Sequence, residues 1–180
     1  NQSFAVLGGP FLAKELEKGM TGVGAIGSSE ETCKALAELF KGTNVKIEFS
    51  GTARAVALAS VLKNIYALAL GISDGIGWGH DAKGWLAAKG VIEMSEILEF
   101  LGEDKSVAYS SAGLGDLLAT GFSPDSKNRQ TGEDIAKNGS VGAKSEGVMA
   151  LSSILYLLKG EQTKMPILSA LEKVVIQNQN

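Results

Sequence analysis

Residues 55–72 form an apolar run that contains a single charged side chain, Lys63, near its centre. Alanine and leucine dominate the run and no proline interrupts it, so it predicts an α-helix. A helix that is apolar on every side has to be buried, either in a protein core or in lipid. A central lysine costs about 2.5–3.5 kcal/mol on membrane-insertion scales, and no other segment is apolar enough to pair with it as a second span. We therefore predict the central helix of a globular core.

Lys63 has two explanations within such a core. Burial disfavours the ammonium form unless an anion or a polar partner compensates it. Lys63 would then face a cavity and meet an anion or a reacting oxygen, with the amide of Asn64 beside it. The alternative is a structural lysine that reaches the surface along its stem or forms an ion pair. The helix by itself does not choose between these two interpretations.

Composition restricts the kind of partner that the chain binds. It has 180 residues, a net charge of −3 and 44% hydrophobic residues, which is typical of a globular domain with a sizeable core. The acidic balance argues against nucleic acid or an anionic membrane surface as a partner. With one cysteine, Cys33, and one histidine, His80, neither a metal site nor a signal segment is expected. We expect a cytoplasmic protein.

The first 51 residues resemble a fragment of an α/β layer. Short apolar or alternating runs predict strands at residues 4–7, 23–26 and 45–49. Helices are predicted between them at 11–18 and 32–40, the second with a serine N-cap and two glutamates in its first turn. Three short strands with little helix between them indicate the edge of a larger sheet.

Residues 22–27, Gly-Val-Gly-Ala-Ile-Gly, match the G-x-G-x-x-G pattern of dinucleotide-binding loops. That function requires a buried strand before the first glycine and an acidic residue about twenty residues later, after a second apolar strand. The preceding residues 17–21 are Glu-Lys-Gly-Met-Thr, which cannot form a buried strand, and the acidic residue is missing. Because the chain has 23 glycines, a chance match is expected. We predict a strand of small residues here.

Residues 52–180 are predicted to be helical almost throughout. A glycine-rich loop is expected at 71–81, and His80 on this loop is predicted to be a surface histidine rather than a catalytic base. Further helices are predicted at residues 81–101, 116–120, 132–137, 146–159 and 167–177. Together they predict an α-helical bundle.

Two polar stretches of the bundle have the composition of ligand sites. Asp116 follows Gly-Leu-Gly at a helix start, where free backbone N–H groups and a carboxylate come together. The alternative is a first-turn aspartate favoured only by the helix dipole. Residues 126–129, Ser-Lys-Asn-Arg, place two cations around an amide at a helix N-terminus, which suits an oxyanion such as phosphate. A solvated basic turn is the alternative there.

Seven short motifs are spread along the chain. They are Gly-Pro at 9–10, Leu-Lys-Asn at 62–64, Gly-Ile-Ser-Asp-Gly-Ile-Gly at 71–77, Ala-Gly-Leu-Gly-Asp-Leu at 112–117, Ser-Lys-Asn-Arg at 126–129, Glu-Gly-Val at 146–148 and Met-Pro-Ile at 165–167. In this order and spacing the chain resembles the bacterial branch of the soluble NAD(P)-dependent glycerol-3-phosphate dehydrogenases. The resemblance runs from about Gly9 to Val175 and rests on no single motif.

The resemblance implies a mainly α fold. Residues 52–180 would form a helical substrate domain of the 6-phosphogluconate dehydrogenase C-terminal type, and residues 1–51 the last part of a Rossmann domain whose remainder lies upstream. The implied activity interconverts sn-glycerol 3-phosphate and dihydroxyacetone phosphate by hydride transfer with NAD or NADP, and supplies glycerol 3-phosphate for phospholipid synthesis. The implied partners are a small phosphate ester and a second copy in a homodimer. The 180 residues alone would be inactive.

The same resemblance implies roles for individual residues. Lys63 matches the catalytic lysine, the acid/base that handles the C2 oxygen while hydride moves, which is reasonable because a developing alkoxide needs a proton and a nearby positive charge. The implied substrate-binding residues are Asn64, Asp116, Ser126, Lys127, Asn128 and Arg129. The implied cofactor contacts are Gly9, Phe11, Ala13, Lys127, Lys144 and Glu146.

Two departures and two other functions accompany this interpretation. Lys127 stands where the family usually has arginine, which replaces a bidentate fork by a point charge. Arg129 would then take over the role of that arginine. Residues 55–60 read Ala-Val-Ala-Leu-Ala-Ser where the family usually has Gly-Val-Glu-Leu-Gly-Gly.

The chain could instead be a non-catalytic helical dimerisation module with a structural Lys63, or part of a two-domain dehydrogenase for hydroxy acids or sugar acids. The basic cluster 127–129 favours a phosphate ester over a carboxylate.

Overall fold

The computed structural model describes residues 4–139, 142 and 144–178, in which a small sheet layer precedes a helical bundle. The layer contains strands β1 (Val6–Gly8), β2 (Gly22–Gly27) and β3 (Val45–Phe49), with helices α1 (Ala13–Leu16) and α2 (Glu30–Glu38) between them. The strand order is β1-β2-β3; β1 pairs antiparallel to β2 and β2 pairs parallel to β3. The three predicted strands are confirmed, whereas α1 is only four residues long.

The glycine motif of residues 22–27 is part of the sheet. It forms the central strand β2, paired on both sides, so its backbone N–H groups are committed to neighbouring strands. A methyl group added at Gly22 or Gly24 would meet the ring of Phe11, which lies across the strand. These glycines therefore make room for an aromatic side chain, and the prediction of a small-residue strand is confirmed.

The apolar run forms the central helix α3 (Ala53–Gly75). The side chain of Thr52 accepts a hydrogen bond from the N–H of Ala55 at 3.0 Å and caps its first turn. Among the described residues, this helix alone is long and apolar enough to cross a membrane, with a mean hydropathy of 1.8. In this fold it lies in the core, with Leu62 and Leu68 fully buried.

In the described part of the chain, five further α-helices belong to the bundle, and each of them contacts α3. They are α4 (His80–Phe100), α5 (Asp116–Phe122), α6 (Lys127–Asn138), α7 (Glu146–Leu158) and α8 (Pro166–Leu171). A wider π turn at Ser111–Gly115 leads into α5, and another at Glu172–Ile176 continues α8. The predicted helical bundle around the apolar run is confirmed.

Two predicted boundaries were wrong. Helix α3 continues to Gly75, so the glycine-rich loop shrinks to residues 76–79. Gly71 and Gly75 lie inside α3 because α6 packs closely against them; a methyl group at either would overlap with atoms of α6. Helix α6 begins at residue 127, five residues before its predicted start, with Ser126 as its N-cap. His80 is the first residue of α4 and is exposed, as predicted.

Glu93 on α4 joins three elements of the core. Its carboxylate accepts the backbone N–H groups of Ile167 at 2.7 Å and Leu168 at 3.1 Å, and the hydroxyl of Tyr66 at 3.0 Å. It therefore caps the first turn of α8 from a neighbouring helix. Burial raises the pKa of Glu93, and burial, with Glu93 nearby, raises the pKa of Tyr66 well above its usual value.

Replacing Glu93 by alanine is expected to lower the free energy of unfolding by about 2–4 kcal/mol, because three buried donors lose their acceptor. Urea unfolding of the 180-residue chain measures the effect. Glu96 on the same helix is exposed and is the matched control; Glu96→Ala should change stability by no more than about 0.5 kcal/mol. Equal effects of the two substitutions would contradict the capping role.

The raised pKa of Glu93 adds a pH dependence. Between the ordinary pKa of glutamate and the raised one, the folded carboxyl keeps a proton that the unfolded one has released. The part of its contribution to stability that is linked to this proton is therefore complete below the ordinary pKa and is lost as pH rises through the raised pKa. The stability difference between wild type and Glu93→Ala should be larger at about pH 4 than at about pH 8.

Candidate active site

A cleft of about 480 Å³ lies between α3, α6, α7 and the segment before α1. Seven of the residues predicted from the sequence line it: Lys63, Asn64, Ser126, Lys127, Asn128, Lys144 and Glu146. The other lining residues are Leu12, Thr120, Asp125, Ser145 and Met149. Asn64 and Glu146, which lie 82 positions apart in the sequence, thus share one concave site, which is the usual form of a small-molecule binding site.

Lys63 is held at the wall of the cleft by a carboxylate and a hydroxyl. Its Nζ lies 3.1 Å from Oδ2 of Asp116 and 3.0 Å from Oγ1 of Thr120. Thr120 in turn donates to the other Asp116 oxygen at 3.1 Å. Burial raises the pKa of Asp116, and the ammonium of Lys63 opposes that rise. Lys63 is therefore both an ion-pair partner and a cleft residue, so each sequence interpretation describes part of its environment.

Two buried asparagines connect the three helices of the cleft. Nδ2 of Asn64 donates to Glu146 at 3.2 Å, and its Oδ1 accepts from Nδ2 of Asn128 at 2.9 Å. Oδ1 of Asn128 then accepts the N–H of Gly147 at 2.9 Å. This network sets the relative positions of α3, α6 and the start of α7.

Glycine allows the backbones of these helices to approach each other. A methyl group at Gly147 would overlap with the carbonyl oxygen of Asn64, and one at Gly132 with the carbonyl oxygen of Leu68. Both glycines therefore face α3 at the point of closest approach. The short hydrogen bonds of the asparagine side chains depend on this spacing.

The start of α6 gives the cleft its anion-binding character. Ser126 caps the helix by accepting the N–H of Arg129 at 3.3 Å, and the free N–H groups of the first turn carry partial positive charge. Lys127 is the first residue of α6 and is exposed in the cleft, and Lys144 reaches the same cleft from the segment before α7. An oxyanion such as phosphate fits this end of the cleft.

Arg129 lies outside the cleft, which contradicts the expectation that it replaces the family arginine. Its Nε is 2.7 Å from Asp74 and its Nη2 is 3.1 Å from Glu133, and only 18% of the side chain is exposed. Successive residues of a helix point in directions about 100° apart. Asn128 and Arg129 therefore face different neighbours, and Lys127 is left as the cation of this turn in the cleft.

The predicted cofactor contacts of the sheet layer lie beside the cleft. Leu12 lines it, whereas Gly9, Phe11 and Ala13 do not belong to the lining residues. Gly9 has a φ of 142°, a conformation that favours glycine, and a side chain there would collide with the carbonyl oxygen of Val23. The cofactor roles of Gly9, Phe11 and Ala13 stay predictions.

Sequence reasoning missed Thr120, the second partner of Lys63. Its sequence signal is the spacing of four from Asp116, which places both side chains on one face of a helix. Met149 and Ser145 were also missed, because an exposed apolar residue and a helix cap carry no recognisable ligand chemistry. Among the described residues, no group of three or more acidic, cysteine or histidine side chains is arranged as a metal site.

Solved structures that are similar to this chain include glycerol-3-phosphate dehydrogenases. The crystal structure of the enzyme from Coxiella burnetii superposes with a TM-score of 0.87 at 26% identity, over 98% of this chain and 57% of that one. A Plasmodium falciparum enzyme of that name shares the fold with a TM-score of 0.86 at 19% identity, over 99% of this chain and 54% of that one. Fold and cleft thus place the chain in the class of helical dehydrogenase domains.

The sequence comparisons agree with the fold. The family model described as NAD-dependent glycerol-3-phosphate dehydrogenase C-terminus matches residues 52–180, so the chain belongs to that family. The glycerol-3-phosphate dehydrogenase (NAD(P)+) of Chlorobium phaeobacteroides (strain BS1) is 35% identical over 97% of this chain and 54% of its own length. The Deinococcus radiodurans enzyme of the same name is 37% identical over 74% of this chain and 41% of its own length. The chain spans about half the length of the curated relatives it matches.

Proposed function

We propose that this chain carries the substrate site and the acid/base of an NAD(P)-dependent dehydrogenase that interconverts sn-glycerol 3-phosphate and dihydroxyacetone phosphate. The observation that carries the proposal is the position of Lys63, bonded to Asp116 and Thr120 and facing the cleft that also contains the start of α6. One end of the cleft suits a phosphate, and the other offers a proton donor. A phosphorylated three-carbon alcohol or ketone has both features.

The chemistry assigned to this chain is proton transfer and binding. In the direction of ketone reduction, the ammonium of Lys63 donates a proton to the C2 oxygen and neutralises the charge that develops on it. Asp116 and Thr120 hold Nζ in place, and Asn64, which the amide network fixes at the wall of the cleft, is the proposed contact for the substrate hydroxyls. In the oxidation direction the neutral amine accepts the same proton.

NAD or NADP supplies or accepts the hydride at C2 when bound. The cleft fits an anionic cofactor at one side, because Lys127 and Lys144 are exposed there and Glu146 offers a hydrogen-bond acceptor. We propose these three residues, together with Gly9, Phe11 and Ala13, as the contacts of this chain with the cofactor. The proposed domain boundary lies between residues 51 and 52, just before the cap of α3.

The biological setting is proposed from the same family membership. The enzyme would act in the cytoplasm as a homodimer and supply glycerol 3-phosphate for phospholipid synthesis. An apolar patch at the end of α7 is available for a second copy, since Tyr156 and Leu157 are exposed. Sedimentation analysis across a concentration series tests the dimer.

Lys127→Ala tests the substrate class. In a protein where this chain is joined to a complete NAD(P)-binding domain, it should raise the KM for dihydroxyacetone phosphate about tenfold or more, since a hydrogen bond to a charged group is worth about 1.5–3 kcal/mol. With NAD(P)H saturating, so that the proposed cofactor contact of Lys127 does not enter, the KM for unphosphorylated dihydroxyacetone should stay within about threefold of wild type, because that substrate lacks the anion. Lys137→Ala, at the far end of α6, is the matched control. Equal losses on both substrates would refute phosphate recognition by Lys127.

A further inference from the structure

Asp74, near the end of α3, gathers two cations from two other helices. Its Oδ2 lies 2.7 Å from Nζ of Lys83 on α4 and 2.7 Å from Nε of Arg129 on α6. The three side chains are largely buried, with 18%, 7% and 18% of their surfaces exposed in the order Asp74, Lys83 and Arg129. Charges this well buried are held in one geometry, because any displacement leaves an uncompensated charge away from water.

Arg129 is attached to α3 by its backbone as well. Its carbonyl oxygen lies against Gly71, where no side chain has room, and its Nη2 contacts Glu133 one turn along α6. The residue is thus held by Asp74 through its side chain and by close packing through its backbone. Its neighbours in the sequence, Lys127 and Asn128, face the cleft on the other side of the same turn.

We propose that Asp74 is a positioning residue for the first turn of α6: through Arg129 it sets the rotation at which Lys127 and Asn128 face the cleft. The inference rests on the proposed function for its consequence, the binding of a phosphate ester, but its structural part can be measured without any ligand. It also explains why Arg129 is unavailable to the substrate, since the same guanidinium that would bind phosphate is used to orient the turn.

The buried pair of Arg129 with Asp74 is expected to matter more for the position of α6 than the outer pair of Lys137 with Glu133. Without the Asp74 carboxylate, Lys83 and Arg129 would be two buried cations converging on one point, with the ring of Phe122 4.7 Å from Nζ as a weak partner for Lys83. Arg129 would move away, and the first turn of α6 would move with it. The bond from the N–H of Gly147 to Oδ1 of Asn128, 2.9 Å long, reports on that movement from α7.

Amide hydrogen exchange of the 180-residue chain tests the proposal. In Asp74→Asn the N–H of Gly147 should lose about tenfold or more of its protection relative to the N–H of Leu98, which lies in the core at the far end of α4. Arg129→Lys, which keeps the charge but loses the Nε contact, should show the same pattern and decides the question if Asp74→Asn does not fold. Lys137→Ala removes only the outer pair with Glu133 and should leave the ratio within twofold.

Two results would overturn the proposal. One is equal loss of protection at Gly147 and Leu98, which would mean that the ion cluster only stabilises the whole fold. The other is an unchanged ratio in both variants. Titration with glycerol 3-phosphate of a protein in which this chain is joined to a complete NAD(P)-binding domain separates the proposal from the proposed function. If the wild-type form of that protein fails to bind it but the selective exchange at Gly147 is found, the function assignment fails and the positioning role stands. If wild type binds, Asp74→Asn should weaken binding about tenfold and Lys137→Ala should not.

Discussion

Replacing Lys63 by alanine is expected to lower the turnover number for dihydroxyacetone phosphate about 100-fold or more, which is the usual contribution of a positioned acid/base. The expectation follows from the position of its Nζ in the cleft, 3.1 Å from Asp116 and 3.0 Å from Thr120, where no other described lysine makes such a pair of contacts. The measurement is a steady-state assay of a protein in which this chain is joined to a complete NAD(P)-binding domain.

The fold should survive the loss of Lys63. Burial already raises the pKa of Asp116, and without the neighbouring ammonium that carboxyl can take up a proton instead of remaining a buried unpaired charge. Unfolding by urea and the substrate KM are the accompanying measurements. Lys89, exposed on α4, is the matched control, and Lys89→Ala should leave the rate unchanged. A Lys63→Ala rate within about tenfold of wild type, or about 1.4 kcal/mol of barrier, would show that Lys63 is not the acid/base.

Replacing Gly132 by alanine should lower the free energy of unfolding by about 1–3 kcal/mol or more, because the added methyl group overlaps with backbone of α3 that cannot move aside. The nearest atoms to that position are the carbonyl oxygen of Leu68 and the N–H nitrogen of Ile72. The helices would have to separate, and the amide network between Asn64 and Asn128 would lengthen. Urea unfolding of the 180-residue chain measures the loss.

Gly84 provides a control of opposite sign. It lies in α4, it is exposed, and nothing is within 4 Å of an added methyl group. Gly84→Ala should therefore raise stability by about 0.5–1 kcal/mol through helix propensity alone. If Gly132→Ala stabilises the protein as Gly84→Ala does, the close approach of α3 and α6 is not as tight as the structure has it.

The sequence was most informative where one local rule acted alone. The apolar run around Lys63 predicted the buried central helix, because length and composition leave such a helix no other environment. The residues before Gly22 were enough to reject a dinucleotide loop, since a buried strand cannot be built from Glu-Lys-Gly-Met-Thr. The serine cap and acidic first turn located the start of α2 to within two residues. Helix α6 began earlier than predicted because its first turn is entirely polar.

The motifs together also predicted the family, which the family model and the curated relatives confirm. Local rules failed at glycine and at arginine. Gly71 and Gly75 were interpreted as loop residues, whereas they lie in α3 beneath α6, because a glycine gives the same local signal whether it frees a turn or admits a neighbouring helix. Arg129 was assigned to the phosphate from its place in a basic motif, and the structure pairs it with Asp74, which is 55 residues earlier.

The sequence by itself thus determined the identity of the core helix, the kind of residues at the site and the family. Only the tertiary structure decided which of those side chains share the cleft. Lys63, Lys127 and Glu146 meet there because α6 and α7 both approach α3 at glycine contacts, and Arg129 is excluded because a carboxylate on α3 holds it on the other side of its helix. Helical periodicity sets the direction of a side chain relative to its own axis, whereas the rotation of that axis is set by packing and by buried charge pairs between distant residues.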